Sequence, residues 1–279
     1  VTPTGAGIAD GTSWANAYSN LQEAVEECIY AGDMVCMQAG TYVRLGLEDA
    51  NERSQCVIAN AAGLTIRGGY AGTGSPGAFT HTPTILARNE TALPYPYRRI
   101  IRAANSVLVL DSLTIARGAI NESGNHGHGC YFASACDVTI TNCIFASNGM
   151  RTSESRTYCG GAISSSGGTL AVVDSLLTNN ILRVWTDNSF TYGGAIYSSG
   201  TAVTLERCIF SGNSSQSCYH DSQGGALCLI SGSASISGCA FYTNTVVKHE
   251  THPTTRGYGG TLYAKGLSNL NVSDCKIIG

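Results

Sequence analysis

The C-terminal half of the chain repeats one arrangement of apolar and polar positions. Five short alternating segments carry an apolar pair with one residue between: Val138/Ile140, Leu170/Val172, Val203/Leu205, Ala234/Ile236 and Leu270/Val272. That spacing is the period of a half-buried strand. A few residues later comes an apolar residue with Asn three positions on: Phe145/Asn148, Leu177/Asn180, Phe210/Asn213 and Phe241/Asn244. Cys143, Ser175, Cys208 or Cys239 stands two residues before that marker, and Cys275 and Ile277 take the two places in the last unit. Between units lie four glycine pairs, Gly160-Gly161, Gly193-Gly194, Gly224-Gly225 and Gly259-Gly260, at intervals of 33, 31 and 35 residues. Each is followed by Ala or Thr and then Ile or Leu.

The frame continues upstream. Leu108, Leu110, Leu113 and Ile115 match Val138, Ile140, Cys143 and Phe145 at an offset of 30, and Leu64/Ile66 read as an earlier strand of the same kind. One unit therefore predicts about three short strands separated by turns. Such a unit cannot bury its apolar face alone, whereas stacked units share a continuous core. The expected fold is all-β, a right-handed parallel β-helix (solenoid) forming one domain over residues 1–279. Glycine is expected where a corner needs φ > 0, so Gly194→Val should damage a corner. Asn is expected to tolerate the left-handed region and to hydrogen-bond up the axis as a ladder. Cys143, Cys208, Cys239 and Cys275 share the parity of the apolar markers and are placed inside. Two readings stay open for them, small buried hydrophobes or disulfides between successive coils.

The N-terminal stretch has another period. Leu21, Ala24, Val25, Cys28 and Ile29 are spaced as on a helix after the capping-box pattern Ser19-Asn-Leu-Gln22, and a strand follows at Asp33–Met37. A short N-terminal capping helix over the open strand edges of the first coil is the expectation. No equivalent is seen at the other end. The last unit stops one residue before its marker Asn, so the expectation there is a longer chain or a covering partner.

Composition agrees with a β-rich, turn-rich protein. Only 13% of residues are charged, while glycine numbers 34 and proline 6. A net charge of −3 provides no footprint for nucleic acid, and no apolar run is long enough for a transmembrane helix. Twelve cysteines without paired CxxC spacing suit an oxidising compartment better than structural zinc. Four sequons, at Asn89, Asn121, Asn213 and Asn271, are candidates for glycosylation.

The GGA[I/L] and FxxN elements, clearest as Gly160-Gly-Ala-Ile163 and Phe210-Ser-Gly-Asn213, resemble the repeats of polymorphic outer membrane proteins of the chlamydial type. The stretches Asp10-Gly-Thr-Ser-Trp14, Ala31-Gly-Asp33, Ala39-Gly-Thr-Tyr42 and Gly68-Gly-Tyr-Ala-Gly72 are similar to openings of secreted β-helix proteins of the pectate-lyase-like superfamily. The resemblance implies a right-handed parallel β-helix with an extracellular or cell-surface location and an adhesive or structural role, as scaffold, filament or surface layer. Leu177 in place of Phe and Thr261 in place of Ala depart from the pattern. No membrane barrel is present in this sequence, so an autotransporter mechanism has no support from it.

Candidate chemistry lies in five long turns, residues 119–127, 149–159, 181–192, 214–223 and 245–258, expected to line up along one edge. They carry Arg151, Arg156, Tyr158, Trp185, Phe190, Tyr192, Tyr219, His220, Arg256 and Tyr258, residue types favoured at contact surfaces. The same residues would serve simply to pack the turns onto the coil. Partners of the binding reading are other protein subunits or a cell-surface protein or glycan, with assembly through the C-terminal end or the lateral turns. His126/His128 and His249/His252 offer too few converging ligands for a metal, and no cofactor is expected. The alternative class is a polysaccharide lyase or glycoside hydrolase, which needs gathered carboxylates. The strands after the glycine pairs carry Ser164, Tyr197, Cys228 and Tyr263 instead, and Asp111, Asp174 and Asp274 fall on separate coils. An enzyme is therefore not expected.

Overall fold

The computed structural model describes residues 1–28, 30–43, 45, 54–80, 82–89, 97–121, 127–186, 189–218, 220–248 and 256–279. Three long sheets run the length of a parallel β-solenoid of about seven turns. Sheet A stacks eight strands: Met34–Gln38, Leu64–Tyr70, Val107–Asp111, Asp137–Thr141, Thr169–Val173, Ala202–Glu206, Ser233–Ser237 and Asn269–Ser273. Sheet B also has eight, from Gly40–Tyr42 to Lys276–Ile278, and sheet C seven, from Ser54–Ala59 to Leu262–Lys265. The pairings within these sheets are parallel, and register follows the repeat. Leu64, Leu108, Val138, Leu170, Val203, Ala234 and Leu270 lie in one inward ladder. Leu86, Ile115, Phe145, Leu177, Phe210, Phe241 and Ile277 form a second. The rings of Phe210 and Phe241 stack at 4.8 Å.

Each glycine of a pair answers a different constraint. The first takes positive φ, from +61° at Gly160 to +68° at Gly224. The second does not. A Cβ on Gly194 would sit 2.1 Å from the carbonyl oxygen of Gly225 on the next coil. The expected damage at Gly194 is thus a matter of space between coils, not of φ.

Asn148, Asn180, Asn213 and Asn244 do not adopt the left-handed region. That conformation falls to the residue before each, Ser147, Asn179, Gly212 and Thr243. The asparagines instead form the buried ladder. Oδ1 of Asn180, Asn213 and Asn244 each accepts two donors from the coil before, the backbone N–H and side-chain amide of the preceding Asn, and Asn148 Oδ1 accepts Gly118 N–H where the ladder starts. Each side-chain amide also donates to the carbonyl of an inward marker, Ile115, Phe145, Leu177 or Phe210.

The corner cysteines Cys143, Cys208 and Cys239 are inside, Cys275 on the last coil is half-buried, and all twelve thiols are free. They are more than small hydrophobes. Ser175 Oγ accepts Cys143 N–H at 3.1 Å and Cys239 Sγ accepts Cys208 N–H at 3.4 Å. A small side chain with an acceptor closes the corner at Ser175 and at Cys239, so Ser and Cys can stand in for one another there.

The helix covers Leu21–Glu26, with Asn20 rather than Ser19 as its N-cap; Asn20 Oδ1 accepts Glu23 N–H at 2.9 Å. Gln22, expected in the capping box, turns inward instead. Its side chain accepts Val57 N–H at 2.7 Å and donates to Val57 O at 3.2 Å. Val57 belongs to the first strand of sheet C, so both unpaired backbone groups of that residue are satisfied. Leu21, Ala24 and Val25 join the main core. Ile29 lies outside the described residues. No described helix is long and apolar enough to cross a membrane.

Candidate contact surface

The long turns are not simple loops. After the sheet B strand the chain makes a further strand, crosses over and returns through a two-residue strand before the glycine pair. The outgoing strands Gly149–Thr152, Ile181–Val184, Ser214–Ser217 and Thr245–Lys248 form one four-stranded parallel sheet. The returning strands Tyr158–Cys159, Thr191–Tyr192, Ser222–Gln223 and Gly257–Tyr258 form another. These coils therefore have five strands rather than three, and the turns build a β-arched flange along one edge.

Alternation along each outgoing strand sorts its side chains. Met150, Leu182 and Val184 face the returning strands and close with Tyr158 into a second small core. One coil on, the same interior is polar. Ser215 Oγ donates to Thr191 O and Thr191 Oγ1 to Ser222 Oγ, whose oxygen accepts Ser217 N–H at 2.7 Å. Short hydroxyl side chains let the flange stay closed without apolar bulk, since every one of these polar groups is paired.

This arrangement corrects one expected contact residue. Tyr158 is fully buried, with its hydroxyl donating to Asn121 Oδ1 at 2.9 Å, and its role is to hold the arch. Arg151, Trp185 and Arg256 are exposed. Arg156, Phe190, Tyr192, His220 and Tyr258 are half-buried. Arg156 is tied to Glu154 at 3.1 Å and to Asn121 O. Tyr219 lies outside the described residues, as do His126, His249 and His252.

The half-buried aromatics are continuous. His220 packs on Phe190 at 4.8 Å, Phe190 on Tyr192 at 6.1 Å, and Tyr192 on Tyr197 of sheet C at 6.1 Å. Burial pushes the Tyr192 hydroxyl up to about 12, so it stays a neutral donor. Tyr197 was a missed member of this row. Its signal was a place one coil from Ser164 and Cys228 on the outer face of sheet C.

A second missed residue is Arg183. It lies in register with Arg151 and Gln216 on the outer face of the outgoing sheet, and its guanidinium stands 4.8 Å from the Trp185 ring. The strand Ile181-Leu-Arg-Val-Trp185 carried that signal as alternation.

The sequons separate by burial. Asn213 is fully buried in the ladder with its amide bonded twice, so its glycosylation is incompatible with the folded chain. Asn271 is exposed on sheet A. Asn89 and Asn121 are half-buried.

Two of the three acidic residues weighed for catalysis, Asp111 and Asp174, are engaged in ion pairs. Asp111 meets Arg67 at 2.7 Å, and Asp174 meets Arg207 at 2.7 and 2.8 Å. Cys228, on the outer face of sheet C, is buried, and burial pushes its thiol up to about 12. Among the described residues no group of three or more His, Cys, Asp or Glu could hold a metal ion. His128 is buried, and its Nδ1 accepts Ile120 N–H at 3.0 Å.

No curated protein and no solved structure gives a significant match to the chain. Residues 207–229 match the family model of the Chlamydia polymorphic membrane protein (Chlamydia_PMP) repeat. The match runs from the corner Arg207 through Phe210 and Asn213 to the Gly224-Gly225 strand, one full passage through the flange. With the solenoid around it, this repeat makes the chain similar to Pmp-like β-helix proteins, a surface or outer-membrane class that is not an enzyme family.

Proposed function

We propose that the chain is an extracellular, cell-surface β-helix with an adhesive or scaffolding role, and that the flange is its contact edge. The carrying observation is the flange itself. Four consecutive coils spend extra residues on a side wall with its own small core, and that wall presents Arg151, Trp185 and Arg256 to solvent. A buried purpose would not need them exposed; an interface would, since Trp, Tyr and Arg dominate contact energies. In this reading residues 1–279 form one right-handed domain, the hand that parallel strand connections take almost without exception. The Leu21–Glu26 helix caps the first coil, and Asn271 is the favoured glycosylation site.

The partner is a cell-surface protein or glycan, or further subunits. A structural role draws on sheet B, where Ile144 and Ile209 stand exposed on its outer ladder with Leu176 between them. Lateral association through that ladder would bury them.

The test is adhesion of beads coated with the purified chain to cell monolayers. Adhesion above albumin-coated beads, competed by soluble chain and lost with Trp185→Ala/Arg256→Gln, is the expected result. Beads that do not adhere would remove the adhesive role. Sedimentation at rising concentration then decides the scaffolding role: a monomer throughout would remove that too.

A further inference from the structure

The outer face of the outgoing flange sheet carries an unusual electrostatic feature. Arg151 and Arg183 occupy the same position on adjacent coils, in strict register. Paired strands lie about 4.8 Å apart, and like charges directly opposite destabilise a sheet. Neither guanidinium has an ion pair or hydrogen bond among the described residues, although the solenoid's other corner pairs Arg67 and Arg207 with carboxylates. Arg183 Nε is buried and unpartnered. The next residue in the ladder is Gln216, only 7% exposed. No hydrogen bond of its side chain occurs among the described residues.

Two further elements surround this ladder. Trp185, 40% exposed, flanks Arg183. A cleft of about 440 Å³ opens beside Arg151, lined by Ser147, Gly149, Asn179 and Ile181. Among the described residues the ladder thus offers two cations without a carboxylate, an amide, an aromatic platform and space for a ring.

We infer that this face binds a sulfated glycan, with a sulfate ester held between Arg151, Arg183 and Gln216 and a sugar ring against Trp185. An anion between the two guanidiniums turns their repulsion into two charge-assisted contacts. A carboxylate is satisfied by a single arginine fork, which takes both its oxygens. A sulfate ester has a third terminal oxygen, matching three donor groups on three successive coils. The indole supplies the apolar face that a pyranose ring needs, and the choice of a glycan rests on the surface location proposed above.

The test is calorimetric titration of the purified chain with a heparin-derived tetrasaccharide, with its fully desulfated counterpart, and with inorganic phosphate. The sulfated probe should bind, more weakly as salt rises, and the other two should not compete with it at equal concentration. Arg151→Gln and Arg183→Gln should each weaken binding by about tenfold, the scale of one lost charge-assisted contact. Lys265→Gln, exposed on the last strand of sheet C, should leave it unchanged, and circular dichroism confirms that each variant folds. Absence of binding, equal affinity for the desulfated sugar, unchanged affinity in the Arg151→Gln/Arg183→Gln protein, or better competition by a phosphoserine peptide would each overturn the inference. The adhesive reading is separated by the bead assay. Adhesion that survives enzymatic removal of sulfated glycans from the monolayer keeps that reading and overturns this one, while beads that never adhere leave the calorimetry to decide this one alone.

Discussion

The side-chain amide of Asn180 donates to Oδ1 of Asn213 at 2.9 Å, and the same oxygen accepts the backbone N–H of Asn180 at 3.1 Å. One carboxamide thus closes two donors of the coil before it, while its own amide binds Leu177 O and Asn244 Oδ1. Asn213→Ala removes all four bonds within a dry interior. The expected cost is about 3 kcal/mol, because the orphaned partners lose their bonds without regaining water. Asn271→Ala, on the exposed face of sheet A, should stay within about 0.5 kcal/mol. Urea unfolding of the two variants beside the parent checks both values.

The glycines separate a steric requirement from a conformational one. Gly200 has φ of +67° with nothing within 4 Å of a built Cβ, whereas Gly194 faces the backbone of the next coil at 2.1 Å. Gly200→Ala should cost about 1–2 kcal/mol, the penalty of the left-handed region for an L-residue. Gly194→Ala should cost clearly more, since two coils must separate to admit one methyl group. Equal melting temperatures for the two variants would refute the close-approach explanation.

The solenoid was legible in the sequence because stacking converts a repeat into register. Val138, Leu170 and Val203 mark the same position in the sequence and lie side by side in sheet A. The flange was not legible. Its outgoing strands hold Met150, Leu182, Ser215 and Val246 at one position, and a site that is apolar on one coil and hydroxylic on the next shows no hydrophobic period. Its returning strands are two residues long, too short to alternate at all. The positive φ assigned to the asparagines belonged one residue earlier because Ser147, Asn179, Gly212 and Thr243 have nothing in common except their place in the turn.

Acid stability should depend on Asp111. Burial works to raise its pKa, but hydrogen bonds from Ser112 and Asn142 and the Arg67 guanidinium outweigh this and hold the carboxyl below its ordinary value. A folded pKa below the unfolded one gives stability that is fully present above the ordinary aspartate range near about 3.9. That stability is lost as pH falls through the depressed folded value. Asp111→Asn should therefore melt below the parent at pH 6, and the gap should narrow as pH drops from about 5 to 2. A gap that stays constant over that window would show that the charge of Asp111 contributes nothing.

Thiol reactivity should divide by position. Cys143 is buried at the sheet A–B corner, and its thiol is pushed up to about 12 by burial. A thiol that neither ionises nor meets solvent is inert to aqueous reagents. Cys28, Cys36 and Cys275 are the half-buried ones. A chromogenic disulfide reagent should label no more than these three in the native protein, and all twelve once urea is added. Fewer than twelve in urea without reductant would show that the natural protein closes some of them as disulfides.

The flange and the solenoid should come apart separately. Leu182 packs in the second core with Met150, Tyr158 and Val184, whereas Leu177, five residues earlier, packs in the main core between Phe145 and Phe210. Both side chains are fully buried, so truncating either to alanine removes similar area and leaves a cavity worth about 2–5 kcal/mol. The consequences differ in reach. The second core holds four of the described side chains and is separate from the main core, so Leu182→Ala should speed amide exchange in 149–152 and 181–184 while sheet A stays protected. Leu177→Ala weakens a stack that runs through every coil and should lower the protection of sheets A and B together. Hydrogen-exchange mass spectrometry of the two variants reads this directly. If Leu182→Ala loosened sheet A as much as the flange, the arches would be part of one cooperative unit with the solenoid. They could then not adapt to a partner independently of the core that carries them.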